Sequence, residues 1–94
     1  MRVAELEVHN GSGLHARPAA ALVKTASTFH AGISVQNLTR GTRPANAKSL
    51  IAVLGCGVEK GHRIKISARG KDEEAAIEAV RKLAEDGFGE AAAG

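Results

Sequence analysis

The chain has 94 residues, enough for one domain with one modest core, and 44 % of them are hydrophobic. Aromatics are limited to Phe29 and Phe88, so the core is expected to be aliphatic, and the single cysteine, Cys56, excludes an internal disulfide and fits a reducing cytoplasm. A net charge of +3 admits nucleic acid, membrane surface or acidic proteins as partners, but no apolar run approaches the roughly 20 residues of a membrane span, and the alternating charges of residues 1–7 leave no signal-peptide core.

Residues 3–9 alternate, with Ala4, Leu6 and Val8 against Glu5, Glu7 and His9, which predicts a half-buried strand. A glycine-bearing loop at 10–13 follows. Between 16 and 29, Ala19, Leu22, Val23, Ala26 and Phe29 form the stripe of an amphipathic helix, with Gly32 as a stop signal. Ile33 and Val35 open a second strand, and residues 37–41 supply a turn. A short third strand is expected near 42–45, at a sheet edge, because Pro44 cannot donate to a ladder. Lys48 and Ser49 open a short helix through Leu50, Ile51 and Leu54, closed by Gly55 and Gly57. Residues 63–69 alternate again, with Ile64, Ile66 and Ala68 on one side. A last helix over about 72–86 buries Ala76, Ile77, Val80, Leu83 and Ala84, and its acidic start and basic end suit the helix dipole.

The order is β-α-β-β-α-β-α. Each strand has one polar face, which predicts an α+β, two-layer open-faced sandwich: a four-stranded antiparallel sheet with three helices on one face. Residues 1–88 are expected to form the domain and residues 89–94 a flexible tail.

One stretch carries chemistry. Gly13-Leu14-His15-Ala16-Arg17-Pro18-Ala19 sets a histidine and an arginine at the start of the first helix, where Pro18 pre-sets the backbone. Helix starts offer unpaired N–H groups, here those of Ala16 and Arg17, and a partial positive charge that favours phosphate. An imidazole there can attack a phosphoryl group, and a guanidinium can hold its oxygens in a bidentate contact. Gly11-x-Gly13-x-x-Ala16 also matches a degenerate dinucleotide fingerprint. That reading fails, because Gln36 and Asn37 stand where an acidic residue would contact the ribose, and the chain is too short for the sheet.

The motif resembles the active-site signature of the HPr family, the histidine-containing phosphocarriers of the bacterial sugar phosphotransferase system. Asn46-Ala47-Lys48-Ser49-Leu50, and the run 61–70 leading into an acidic-start helix, resemble the same family in the same order. The resemblance covers about 3–86. It implies that His15 takes a phosphoryl group on Nδ1 from phosphorylated enzyme I and passes it to sugar-specific IIA proteins, with Arg17 stabilising the phosphate. It also implies a cytoplasmic monomer with no cofactor, a substrate of two transferases rather than an independent enzyme. Ser49 stands where many family members carry a regulatory serine, phosphorylated by an HPr kinase; a plain helix-capping serine is the simpler account of it.

Leu50, Ile51 and Leu54 cannot all face inward from so short a helix. Ile51 and Leu54, with Leu50 beside them, are expected to form a docking patch next to His15, ringed by Arg17, Lys24 and Lys48. His9, His30 and His62 show no metal spacing with one another or with Cys56, and read as surface residues; no metal is expected. Lys60, His62, Arg63, Lys65 and Arg69 read as a solvated sheet face, expected to pair with Glu5 and Glu7 on a neighbouring strand rather than with nucleic acid, since no aromatics interleave them. The alternatives are a carrier in a dihydroxyacetone-kinase or nitrogen-regulatory relay, a binding protein controlled through Ser49, and an anion- or nucleic-acid-binding module.

Overall fold

The computed structural model describes residues 1–90. Four strands, β1 (Arg2–Glu7), β2 (Gly32–Asn37), β3 (Ala45–Asn46) and β4 (Arg63–Arg69), form one antiparallel sheet in the order β1-β4-β2-β3. Helices α1 (Ala16–Ser27), α2 (Leu50–Gly55) and α3 (Glu73–Glu85) connect or follow them, and a 3-10 turn spans Gly87–Gly89. This is the α+β open-faced sandwich that the alternation of polar and apolar residues predicts.

Register explains the layers. Ala4 lies opposite Ile66, Leu6 opposite Ile64, and Val35 opposite Ile66 on its other side, so the apolar members of three strands share one face. That face is covered by Leu22 and Ala26 of α1, Val53 of α2, and Ala76, Ile77 and Val80 of α3, all buried. Burying an aliphatic side chain of this kind contributes about 1.5–3 kcal/mol. Val23, Phe29 and Leu83, expected in the buried stripes, are only partly covered at the rims of the layer. The other sheet face is polar: Glu5 sits across from Lys65 and Glu7 across from Arg63, with Arg63 reaching Glu5 at 3.8 Å.

Several boundaries differ from expectation for identifiable reasons. β3 occupies residues 45–46 rather than 42–45, because the turn that precedes it consumes Thr42. The Thr42 N–H bonds Asn37 O, its hydroxyl accepts the Asn37 N–H, and its carbonyl accepts from Gln36 Nε2. α1 ends at Ser27, two residues early, where the Thr28 N–H folds back to Thr25 O. α3 starts after Asp72, whose carboxylate accepts the backbone N–H groups of His30 and Ala31 and so ties the helix start to the α1–β2 loop. Those bonds, that of His30 foremost, hold the Asp72 carboxyl below its ordinary value.

The core is not purely aliphatic. Phe88 is the largest fully buried side chain, and it sits at φ 55 between Gly87 (φ 66) and Gly89 (φ 81). A left-handed bulky residue is costly, and it persists here because its ring fills the core beneath a glycine-flanked turn that packs on α1 and α3. The turn reverses the chain, so Gly89 and Glu90 do not begin a free tail. Glu90 accepts from Asn10 Nδ2 at 2.9 Å and bonds the Ser12 hydroxyl. Residues 91–94, the rest of the expected tail, lie outside the described residues.

Among the described residues, one polar side chain is fully buried. Asn37, at the end of β2, donates to Cys56 O at 3.1 Å and to His62 Nδ1 at 3.1 Å, and accepts the Arg40 N–H. Satisfied at both ends of its amide, it ties the sheet to the loop after α2.

Candidate functional site

His15 is the N-cap of α1 rather than a residue of its first turn, with extended backbone (φ −86, ψ −162) and its carbonyl accepting the Ala19 N–H at 2.8 Å. An N-cap side chain ordinarily bonds the N–H two or three residues on. Here the third residue is Pro18, which has none, and the imidazole makes no capping bond. The ring is therefore turned to solvent, while the N–H groups of Ala16 and Arg17 have no acceptor among the described residues. Positive helix end, free donors and nucleophile converge at one point.

The ring is nevertheless held. Nε2 lies 3.2 Å from each carboxylate oxygen of Glu59. An ionised carboxylate only accepts, so the contact places a proton on Nε2, and in the neutral ring that tautomer leaves the lone pair on Nδ1. His15 and Glu59 are 58 % and 57 % exposed, open enough for a second protein to reach the imidazole.

Glu59 comes from the α2–β4 loop, which meets the β1–α1 loop at Gly13. Gly13 has φ +61, and a Cβ on it would stand 2.3 Å from Val58 O and 2.7 Å from Glu59 Cα. This close approach lets the Leu14 N–H bond Val58 O at 2.9 Å. On the other side, His62 Nδ1 accepts the Glu59 N–H at 3.1 Å, and Gly61 N and His62 O bond Val8. His62, expected at the surface, is thus a half-buried acceptor that shapes the loop. Glu59 has no sequence signal of its own, since it lies 44 residues from His15 in an exposed turn.

Arg17 projects from the exposed side of α1. Its charge also helps to keep the Glu90 carboxyl below the ordinary 4.5, after the larger effects of the Ser12 and Asn10 hydrogen bonds. The β1–α1 loop and the C-terminal turn thereby meet near the start of α1, a feature that sequence spacing does not reveal.

Leu50, Ile51 and Leu54 are all exposed, at 41, 83 and 40 %, and Val53 alone of α2 turns fully inward. Lys24 is exposed on α1. Lys48 differs from its expected place in a ring around the patch: its ammonium donates to Phe29 O at 2.7 Å, just past the end of α1. The start of α2 therefore lies against the end of α1, and the chain after α2 lies against its beginning. Lys48 Nζ is then about a full α1 length, roughly 18 Å for 12 residues, from the His15 end. Ser49 is the N-cap of α2, its Oγ accepting the Ala52 N–H at 3.2 Å. Cys56 is buried, and that burial pushes its thiol up, disfavouring the thiolate. No helix among the described residues is long and apolar enough to cross a membrane.

An exposed nucleophile backed by free helix donors and a guanidinium suits a domain that carries a phosphoryl group between other proteins. The comparisons agree. Residues 3–86 match the family model for the PTS HPr component phosphorylation site. The phosphocarrier protein HPr of Treponema pallidum is 38 % identical over 90 residues, covering 96 % of this chain and 99 % of that one. The solved HPr-C-His of Thermoanaerobacter tengcongensis superposes with a TM-score of 0.90 at 43 % identity, covering 98 % of this chain and all of the other. The multiphosphoryl transfer protein of Salmonella typhimurium is 45 % identical over 89 residues; these cover 95 % of this chain but only 24 % of the relative, so the chain spans about a quarter of that length. The chain belongs to the HPr family, the phosphocarriers of the phosphotransferase system.

Proposed function

We propose that the protein accepts a phosphoryl group from phosphorylated enzyme I on His15 Nδ1 and donates it to sugar-specific IIA proteins, acting as a cytoplasmic monomer without a cofactor. The observation that carries this reading is the His15 ring at the N-cap of α1, exposed, uncapped, and beside the free N–H groups of Ala16 and Arg17. The Nδ1 lone pair attacks phosphorus, the bond to the donor breaks, and its electron pair stays on the donor. Arg17 and the helix donors face the added negative charge without enclosing it, so the group remains available to the next acceptor. Leu50, Ile51, Leu54 and Lys24 supply an apolar docking surface with a basic neighbour, suited to short-lived complexes. Phosphate on Ser49, placed there by a kinase, would add negative charge at the edge of that surface and weaken the docking of acidic partners.

Incubation with phosphoenolpyruvate and enzyme I, followed by intact mass before and after acid treatment, tests the reading. One acid-labile phosphate is expected, and none on His15→Ala. An acid-labile phosphate retained by that variant would overturn the assignment.

A second reading places this phosphocarrier unit in a multi-step phosphoryl relay. It is prompted by the 45 % identity to multiphosphoryl transfer proteins, which stands beside the 43 % identity to HPr-C-His of Thermoanaerobacter tengcongensis. Transfer assays with alternative phosphoryl acceptors distinguish the two.

A further inference from the structure

The geometry points to Glu59 as a positioning residue for phosphoryl transfer at His15, a role that rests on the phosphocarrier reading and deepens it. The contact is built from both sides. The Glu59 N–H is held by His62 Nδ1, which is itself fixed by buried Asn37, and the neighbouring Val58 carbonyl is held by the Leu14 N–H, one residue before His15. Gly13 is the residue that lets these two backbones approach. Both carboxylate oxygens stand 3.2 Å from Nε2, so the acceptor is retained through small rotations of either side chain.

That placement matches what the ring undergoes. In the resting state the proton sits on Nε2, which leaves the Nδ1 lone pair for phosphorus. When the new P–N bond forms, the bond from phosphorus to the donor breaks and its electron pair remains on the donor. The His15 ring then becomes a phosphoimidazolium, still protonated on Nε2 and carrying one positive charge. On donation the P–N electron pair returns to Nδ1, the charge disappears, and the same proton is still in place. No proton leaves the ring in either direction, and the Glu59 carboxylate accepts the same Nε2–H throughout. A carboxylate facing that N–H therefore interacts more strongly with the phosphorylated ring than with the neutral one. The other charges near the site, Arg17 and Glu90, belong to α1 and to the C-terminal turn; neither is bonded to Nε2.

The test compares native protein with Glu59→Ala and Glu59→Gln in single-turnover phosphoryl acceptance from phosphorylated enzyme I. Nitrogen-15 spectra of the His15 ring in the unphosphorylated proteins, and melting curves, complete it. Glu59 is exposed, so unchanged melting is expected for both variants. Acceptance should fall roughly fivefold in Glu59→Ala, the scale of one exposed ion pair acting mainly in the transition state, with loss of the slowly exchanging Nε2-bound proton signal. Glu59→Gln keeps an acceptor but no charge, and should retain that signal with about a twofold loss in rate. A Glu59→Ala rate within about 1.5-fold of native, or an unaltered Nε2 proton signal, overturns the role of Glu59 alone. Native protein that takes no phosphate overturns the carrier reading, and the Glu59 role with it.

Discussion

Gly13→Ala is the substitution that most directly tests how the site is assembled. The native φ of +61 is in the left-handed region, which costs an L-residue about 1–2 kcal/mol. The added Cβ would stand 2.3 Å from Val58 O and 2.7 Å from Glu59 Cα, and both are backbone atoms that no rotamer change can move aside. The two loops must separate, which breaks the 2.9 Å bond from the Leu14 N–H to Val58 O, worth about 1 kcal/mol net, and loosens buried Leu14. Together these give a loss of roughly 3 kcal/mol, a large share of a small domain's stability, and a fall in Tm of about 12–24 °C. Gly11→Ala is the internal control. A Cβ at Gly11 meets nothing within 4 Å, so its stability should stay within about 0.5 kcal/mol of native. Urea denaturation and thermal melts followed by circular dichroism measure both. In the folded fraction of Gly13→Ala, phosphoryl acceptance should also drop, because Glu59 moves with Val58. A Gly13→Ala protein melting within about 5 °C of native would refute the reasoning, since neither the backbone conformation nor the close approach would then be required.

Ile51→Asp should slow phosphoryl transfer several-fold while leaving the melting curve unchanged, because Ile51 is 83 % exposed, outside the core, and central to the proposed docking patch; stopped-flow transfer kinetics equal to native would exclude the patch. Ser49→Ala removes the acceptor for the Ala52 N–H and should cost about 1 kcal/mol, whereas Ser49→Asp keeps a cap and should leave stability near native while slowing partner docking; urea titrations and transfer rates separate the two effects. The Glu90 carboxyl is lowered below 4.5 in the folded protein by the Ser12 and Asn10 hydrogen bonds, so its contribution to stability is complete above that value and is lost as pH falls through the lower folded one. Glu90→Gln should therefore show a shallower loss of stability below pH 4.5 than native; parallel acid titrations of the two proteins would contradict this.

The elements and the candidate phosphate site at the helix start were legible in the residues because both are local. Alternation along 3–9 and 63–69, and the stripes of α1 and α3, report which side of each segment meets a core, whatever that core is. Gly13 to Ala19 likewise carries its chemistry within two turns: the histidine, the following donors, and a proline that leaves the imaginable capping bond unmade. Exposure of α2's apolar residues followed from its shortness, although the sequence did not show that Val53 is the one turned inward.

What only the tertiary structure decided depends on segments far apart in the chain. Two loops packed backbone to backbone at Gly13 bring Glu59 to His15 across 44 residues, and a left-handed turn at Phe88 folds Glu90 back onto Ser12 across 78. Lys48 reads in sequence as part of a basic rim, but in the fold its ammonium satisfies a carbonyl at the far end of α1. These contacts leave no periodic signal, because each is a single polar side chain on a loop whose partner is set by how the layers dock. The sequence thus pointed to the helix start as the proposed phosphate site, and the packing of the α2–β4 loop against the β1–α1 loop decided which nitrogen of His15 faces Glu59 and which is left open to solvent.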